Sequence, residues 1–240
     1  MTGRRRAALL LAGVIAGHAL VVGAAAMWWV RRAAPAASEA TLEALGTYGV
    51  VPPFTLTERS GRRVSRDDLR GLVWVVDFIY TECTETCPTQ SLQLARLQRE
   101  FQDATSLRLV SITVDPEHDT PEVLARYAAR YVAGDRWWFL TGDKRDIYCL
   151  AEQGFHLGVV DPAAPAQPSC GRALGFGPAR AWANHGSKGL VMHSARVVLI
   201  DGATVIRAYH LATDEESMVR LRANLRRLLA SPARREGRTQ

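Results

Sequence analysis

Two cysteines stand at the start of a helical pattern, in the stretch Cys-Thr-Glu-Thr-Cys-Pro at residues 83–88. An apolar run at residues 73–80 precedes them, and residues 89–101 follow with helical spacing. We predict that both thiols lie on the turn between a buried strand and a helix, with Pro88 opening the helix and Cys87 near its N-cap. Unpaired N–H groups and the helix dipole stabilise a thiolate there. Such a cysteine is a nucleophile, half of a redox pair or a soft-metal ligand.

The cysteine pair alone does not decide between redox chemistry and metal binding. One turn of chain brings both sulfurs to the same helix end, where they can close a disulfide or converge on one ion. A structural zinc site uses four nitrogen or sulfur ligands, and this motif supplies two, which argues against a closed zinc site. Two thiolates and one imidazole would suit copper, because thiolates select Cu(I) and imidazole also serves Cu(II).

The net charge of +6 is not spread evenly along the chain. Residues 1–48 carry five arginines against two glutamates, and residues 231–240 carry three arginines against one glutamate. Residues 49–230 carry 22 basic and 21 acidic side chains and are therefore almost neutral. A nucleic-acid-binding domain is expected to carry a basic patch on its folded part. The charge distribution therefore argues against a nucleic-acid partner.

Residues 7–30 contain no Asp, Glu, Lys or Arg, and His18 is their only ionisable side chain. As a helix this segment would be about 36 Å long, and the hydrocarbon core of a bilayer is roughly 30 Å thick. Trp28 and Trp29 suit the membrane interface at the far end. The arginines are slightly more numerous before the segment than after it, so we predict a single transmembrane helix with residues 1–6 as a cytoplasmic head.

A cleaved signal peptide is the alternative for this segment. Its apolar region would normally be about 7 to 15 residues long, and the small residues at 34–36 would permit cleavage. In both cases the rest of the chain is exported to a compartment where disulfides persist. Cys149 and Cys170 could then form a structural disulfide. Two free thiols or a second redox pair remain open, since a sequence does not set the distance between two sulfurs.

The rest of the chain alternates strands with helices. A cysteine motif after the first central strand of such an order is typical of a thioredoxin-like α/β fold, a mixed sheet flanked by helices. We expect a tether at residues 31–48, rich in alanine, then the domain at residues 49–230 and a tail at residues 231–240. Strands are predicted at residues 54–57, 62–65, 73–80, 107–114, 137–140, 191–200 and 204–209, and helices at residues 89–101, 120–131, 144–153 and from 213 onward.

Three aspartates are candidates for a functional role. Asp115 and Asp119 lie in a loop punctuated by prolines, and we predict that they complement a helix N-terminus and do not bind metal. Thr120 is the predicted N-cap of that helix and Pro121 its first residue. Asp77 lies inside an apolar strand and would need a hydrogen-bonding partner if it is buried. The sequence does not name that partner.

Three separate blocks of the sequence resemble the Sco/SenC family. Residues 80–88, Tyr-Thr-Glu-Cys-Thr-Glu-Thr-Cys-Pro, are similar to its cysteine signature. Residues 114–122, Val-Asp-Pro-Glu-His-Asp-Thr-Pro-Glu, resemble its second block. Residues 193–194, His-Ser, followed by Val-Val-Leu-Ile-Asp at residues 197–201, resemble its third. The blocks follow the order of the family behind an apolar N-terminal segment, and the resemblance covers residues 50–230.

This resemblance implies a thioredoxin-fold domain that is tethered to the inner membrane and faces the periplasm. It implies that Cys83, Cys87 and His193 bind one copper ion, as Cu(I) or Cu(II). The implied task is to assist assembly of the binuclear copper centre in subunit II of cytochrome c oxidase, or to serve another copper protein, with a copper donor and a thiol reductant as further partners. The alternative is a membrane-anchored thiol–disulfide oxidoreductase, in which Cys83 and Cys87 reduce the cysteines of that copper site.

The resemblance is what makes His193 a candidate ligand. Without it, an ordinary histidine near the start of a strand is the simpler interpretation. Met192 and His185 are its nearest rivals, but Met192 would point to the opposite face of the strand, and a histidine in a loop is usually only solvated. His185 lies in residues 159–189, a segment longer than the resemblance requires, and long loops are usually functional or insertions. Cys170 lies in the same segment, so the predicted disulfide would pin it.

Overall fold

A computed structural model describes residues 18, 22–23, 42–160, 170, 191–192 and 195–231 of the chain. The chain divides into two compact units, residues 1–41 and residues 42–240. In the first unit the described residues 18, 22 and 23 are helical. Among the described residues, no helix is long and apolar enough to cross a membrane. The predicted transmembrane segment, residues 7–30, lies almost entirely outside them.

The second unit is organised around a mixed β-sheet. Its strands are β1 (Thr55–Glu58), β2 (Arg63–Ser65), β3 (Val73–Ile79), β4 (Leu107–Thr113), β5 (Trp137–Thr141), β6 (Val159–Val160), β7 (Val191–Met192), β8 (Arg196–Ile200) and β9 (Ile206–Leu211). Seven of them form one sheet in the order β2-β1-β5-β4-β3-β8-β9, and β6 pairs separately with β7. The central pairs β3–β4 and β4–β5 are parallel, whereas β8 is antiparallel to both β3 and β9.

Helices supply the crossovers that the parallel strands need. They are α1 (Thr86–Glu100), α2 (Pro121–Arg130), α3 (Lys144–Cys149) and α4 (Glu215–Ala230), with a 3₁₀ turn at Arg66–Leu69 and a π-helix at Leu150–Gly154. α1 connects β3 to β4, and α2 connects β4 to β5, because neighbouring parallel strands cannot be joined by a tight hairpin.

The two faces of the sheet carry separate apolar cores. On β3, Val75 and Ile79 belong to the core that includes side chains of α1, α2 and α4. Val76 and Phe78 alternate with them and belong to the core that includes α3 and the π-helix. All seven residues of β3 are buried, as expected for a central strand covered on both faces. The predicted mixed sheet with helices on both faces is confirmed.

The predicted helix boundaries differ from the observed ones by a few residues. Thr120 caps α2, where its hydroxyl accepts a backbone N–H of the first turn, and Pro121 is the first residue of that helix, as predicted. α1 begins at Thr86, with Cys87 second and Pro88 third, so the prediction that Pro88 opens this helix is wrong. Proline fits there because the first four N–H groups of a helix have no partner within it.

The predicted single strand at residues 191–200 is divided into two. Val191–Met192 pair with Val159–Val160 in the small sheet, whereas Arg196–Ile200 join the central sheet. Residues 193 and 194 connect the two strands and lie outside the described residues. His193 and Ser194 separate the two halves in sequence, and the halves pair with different sheets, so the prediction of one strand is wrong.

The last residues of the predicted tether belong to the folded unit. The N–H groups of Gly46 and Tyr48 donate to carbonyl groups of β9. Glu43 is buried, and its carboxylate accepts hydrogen bonds from Ser217 and Arg220 on α4. Burial acts to raise the pKa of Glu43, but the hydrogen bonds from Arg220 and Ser217 outweigh it and lower that pKa. Residues 42–48 of the predicted tether therefore belong to the same compact unit as the domain.

His210 makes this part of the fold sensitive to acid. It is fully buried on β9, and burial lowers its pKa to about 4 against the attraction of Glu43. In the unfolded chain its pKa is about 6.5, so the unfolded state binds more protons below that pH and the folded state loses stability until about pH 4. Replacing His210 by Gln should remove about 3 kcal/mol of this loss. The measurement compares unfolding free energies of both proteins at about pH 7 and about pH 4; equal pH dependence would contradict it.

Candidate functional site

Cys83 and Cys87 lie between the end of β3 and the first turn of α1. The carbonyl of Tyr80 accepts the N–H of Cys83 at 3.2 Å, so the chain folds back directly after β3. The N–H of Cys87 donates to Sγ of Cys83 at 3.4 Å. Both thiols are free, and Cys83 is 9% exposed whereas Cys87 is completely buried. Any solvent contact of the pair is therefore made by Cys83.

The two thiols differ in their affinity for a proton. A hydrogen bond from the Cys87 thiol lowers the pKa of Cys83 to about 5, and the backbone N–H groups of Cys87 and Glu85 contribute to this. The same hydrogen bond, together with burial and the charge on Cys83, raises the pKa of Cys87 far above its usual range. At neutral pH Cys83 is therefore a thiolate, and Cys87 is the thiol that donates to it.

Tyr80 is a further donor to this thiolate that the sequence does not single out. Its hydroxyl acts on Cys83 and helps to lower the pKa of that thiol, and its ring packs against both apolar cores. Burial first, and then the charge on Cys83, raise the pKa of Tyr80 far above its usual range. The phenol therefore keeps its proton at neutral pH and acts as a donor. An aromatic residue with a polar tip, placed directly after the central strand, is the signal that could have found it.

Asp119 joins the cysteine loop, residues 80–85 between β3 and α1, to the neighbouring strand β4. Its carboxylate is 1% exposed and accepts the N–H and the hydroxyl of Thr81 and the hydroxyl of Thr113. Thr113 ends β4, and Thr81 lies two residues before Cys83, so one side chain joins both segments. Burial raises the pKa of Asp119 against these hydrogen bonds. The prediction that Asp119 complements the helix N-terminus is wrong, because its carboxylate is committed to the cysteine loop.

Asp115 is also engaged elsewhere than at a helix terminus. Its buried carboxylate lies with both oxygens 2.9 Å from Nδ1 of His118, whose side chain is 72% exposed. The hydrogen bond with Asp115 raises the pKa of His118, and the nearby carboxylates of Glu82 and Glu117 add to this effect. His118 is therefore a surface imidazole whose ring is oriented by a hydrogen bond to a buried carboxylate. It lies beside the loop that carries Cys83.

Asp77 has the partner that the sequence does not name. The hydroxyl of Ser111 on β4 donates to Asp77 at 2.6 Å, and the indole N–H of Trp137 on β5 donates to Ser111 at 2.9 Å. Burial raises the pKa of Asp77 to about 7. Asp77 alternates with Val76 on β3 and therefore lies on the face of the sheet that α1 covers. Its charge is one of those that raise the pKa of Cys87.

The structure places the predicted site residues in different situations. Cys83 and Cys87 lie side by side, whereas His193, the third predicted ligand, lies outside the described residues. Within the part of the chain that the structure describes, no group of three or more His, Cys, Asp or Glu side chains could hold a metal ion. Cys149 and Cys170 are joined by a disulfide, with their Cα atoms 5.3 Å apart, which fastens residue 170 to the end of α3.

The fold and the cysteine site match a known family. The sequence profile of the SCO1/SenC family matches residues 43–229, which is more than half of the chain. The chain belongs to the SCO1/SenC family. This SCO1/SenC protein is 40% identical to the SCO1 protein homolog of Bacillus subtilis over 120 residues, which cover 49% of this chain and 62% of that relative. Its matches to the first curated relatives span less than two thirds of their length.

Solved SCO1/SenC structures share this fold. BsSco, described as a Sco-family cytochrome c oxidase assembly protein with a disulfide switch, has a TM-score of 0.61 at 24% identity, covering 78% of this chain and 98% of BsSco. Bradyrhizobium japonicum ScoI, solved with copper bound, has a TM-score of 0.56 at 23% identity, covering 75% of this chain and 99% of ScoI. At these identities the likeness establishes the fold, which is the predicted thioredoxin-like arrangement.

Proposed function

We propose that this SCO1/SenC protein binds one copper ion through Cys83, Cys87 and His193 and assists assembly of the binuclear copper centre of cytochrome c oxidase. The observation that carries the proposal is the pair of adjacent free cysteines, in which the N–H of Cys87 donates to Sγ of Cys83 at 3.4 Å. Thiolates are soft ligands that select Cu(I), and imidazole serves both oxidation states of copper. This donor set fits copper, the metal bound in the structure of Bradyrhizobium japonicum ScoI.

The chemistry of the two sulfurs suits a cargo ion that must be both held and released. Cys83 offers a thiolate without prior deprotonation, whereas Cys87 must lose its proton before its sulfur can bind. Both cysteines must be reduced, so oxidation to a disulfide would prevent loading. Three ligands leave one flank of the copper ion accessible to a sulfur of the acceptor, and the ion can then pass by ligand exchange.

The proposal includes the location of the protein. Residues 7–30 would anchor it in the inner membrane as a single span, with residues 1–6 in the cytoplasm and the domain in the periplasm. The uncharged length of that segment and the arginines before it support this orientation. The acceptor would be subunit II of cytochrome c oxidase or another copper protein, and the description of BsSco as an oxidase assembly protein supports the first.

The three-ligand site is tested by replacing its histidine. His193→Ala should weaken Cu(I) binding by about hundredfold, because it removes a ligand and keeps both sulfurs. The measurement is an anaerobic titration of the reduced full-length chain against a competing Cu(I) chelator. His156→Asn, at an exposed histidine whose φ of 55° suits Asn, is the matched control and should bind as the wild type does. Equal affinity of His193→Ala would refute the histidine ligand, and a wild type that takes no copper would refute the whole proposal.

The unequal thiols also favour a second function, thiol–disulfide exchange with the acceptor. The Cys83 thiolate would attack an acceptor disulfide and form a mixed disulfide, releasing one acceptor thiolate. Cys87, once deprotonated, would displace the second acceptor sulfur, so that the acceptor is reduced and the Cys83–Cys87 pair is oxidised. An external thiol reductant would restore the pair. The disulfide switch described for BsSco supports this alternative.

A further inference from the structure

His118 has the hydrogen bonding of a metal-binding histidine. Its Nδ1 lies 2.9 Å from both carboxylate oxygens of Asp115, and an ionised carboxylate can only accept, so Nδ1 carries the proton. In the neutral ring the lone pair is then on Nε2. Metal-ligating histidines commonly donate their other N–H to a carboxylate, which fixes the tautomer and orients the ring. Asp115 is 6% exposed and His118 is largely exposed, so the ring is held from the buried side.

This histidine lies next to the cysteine loop. His118 is followed directly by Asp119, whose carboxylate accepts the N–H of Thr81 at 3.0 Å, two residues before Cys83. Glu82, the immediate neighbour of Cys83, is close enough for its charge to act on His118. The loop with His118 and the loop with Cys83 therefore form one rim, on which the exposed carboxylate of Glu117 pairs with Lys144 at 3.0 Å.

The other described histidines of the folded unit have different surroundings. His210 is fully buried between β9 and α4, out of reach of an ion in solvent. His156 is exposed but follows the π-helix, and its ring lies beside Gly49 and not beside the cysteine loop. His118 combines exposure, an orienting carboxylate and proximity to Cys83.

We propose that His118 is a transient copper ligand at the rim, which takes up the ion and passes it to Cys83. This inference rests on the proposed copper function of Cys83 and Cys87. One nitrogen with no group of three ligands around it among the described residues would hold copper weakly, which suits passage and not storage. In the transfer, the copper–Nε2 bond breaks as the copper–Sγ bond forms, and the oxidation state of copper does not change.

The test measures the rate of loading separately from its end point. The reduced full-length chain is mixed anaerobically with the Cu(I)–bicinchoninate complex, and the loss of the absorbance of that complex is followed by stopped flow. His118→Ala should load about tenfold more slowly than the wild type and reach the same final copper content. Free imidazole should restore the rate of His118→Ala, because it supplies the missing nitrogen, and should leave the wild type unchanged. His156→Asn is the control and should load at the wild-type rate.

Each outcome bears on one of the two proposals. A His118→Ala variant that loads as fast as the wild type overturns the role of His118 while the copper function of the cysteines stands. The specific role of His118 is also overturned if His156→Asn slows copper loading equally, because any surface histidine would then speed the loading. A wild type that takes no copper from the complex overturns the proposed function itself.

Discussion

Cys83→Ser should abolish the fast reaction of this protein with iodoacetamide in slightly acidic solution, whereas Cys87→Ser should retain it. The physical reason is the unequal pKa values of the two thiols, since the thiolate is the nucleophile and Cys83 is ionised above about pH 5. A cysteine with an ordinary pKa is only about one per cent thiolate at about pH 6.5, so the Cys83 thiol should have about hundredfold more of the reactive form. The serine hydroxyl in Cys87→Ser still donates towards Cys83 and keeps part of the effect.

The pH profile of this reaction is the sharper measurement. The alkylation rate of the wild type should rise as the pH passes through about 5, the pKa of Cys83, and then level off. An alkylation rate that rises only above about pH 8, as for an ordinary thiol, would contradict the assignment of Cys83 as the thiolate.

The same two serine variants also bear on the proposed functions. Both should bind Cu(I) at least about hundredfold more weakly, because each removes one of the soft ligands. In Cys87→Ser an acceptor disulfide should remain trapped on Cys83 as a mixed disulfide, since the resolving thiol is missing.

The parts of this protein that the sequence predicts are those encoded locally. The apolar run at residues 73–80, the cysteine pair after it and Thr120-Pro121 at a helix start all depend on neighbours a few residues away. These signals predict the order of elements and the position of the cysteine motif between a central strand and a helix. They do not predict partners that are distant in sequence, such as Ser111 for Asp77, because strand register brings those together.

The predictions that fail also depend on contacts between residues that are distant in sequence. The stretch at residues 191–200 is interrupted by His193, Ser194 and Arg196, but these residues alone do not indicate that Val191–Met192 and Arg196–Ile200 pair with different sheets. Asp119 precedes a helix start, where a carboxylate usually serves the helix. Its actual donors include Thr81, 38 positions away, and become neighbours only when β3 and β4 align in parallel. The site is therefore completed by contacts between loops that follow adjacent parallel strands.

Asp119→Ala should be among the most harmful substitutions outside the cysteines. The change removes three hydrogen bonds from a buried carboxylate and leaves the donors of Thr81 and Thr113 without it. A loss of about 3 kcal/mol in the free energy of unfolding is expected, because buried donors without partners are costly. The cysteine loop would also lose its attachment to β4, so Cu(I) affinity should fall by about tenfold. Both quantities are measured on the full-length chain, by denaturant unfolding and by chelator competition.

Two further variants separate the attachment of the loop from the charge of Asp119. Asp67→Ala removes an exposed carboxylate that pairs with Arg66 and Arg70, and should change neither stability nor copper affinity appreciably. Thr81→Ala removes one of the donors and keeps the carboxylate, so it should weaken copper binding in the same direction as Asp119→Ala. If Thr81→Ala and Asp119→Ala both bind copper as tightly as the wild type, the loop holds its geometry without this contact. A loss in both variants, with the Asp67 control unaffected, would mean that a buried carboxylate after β4 positions the sulfurs after β3.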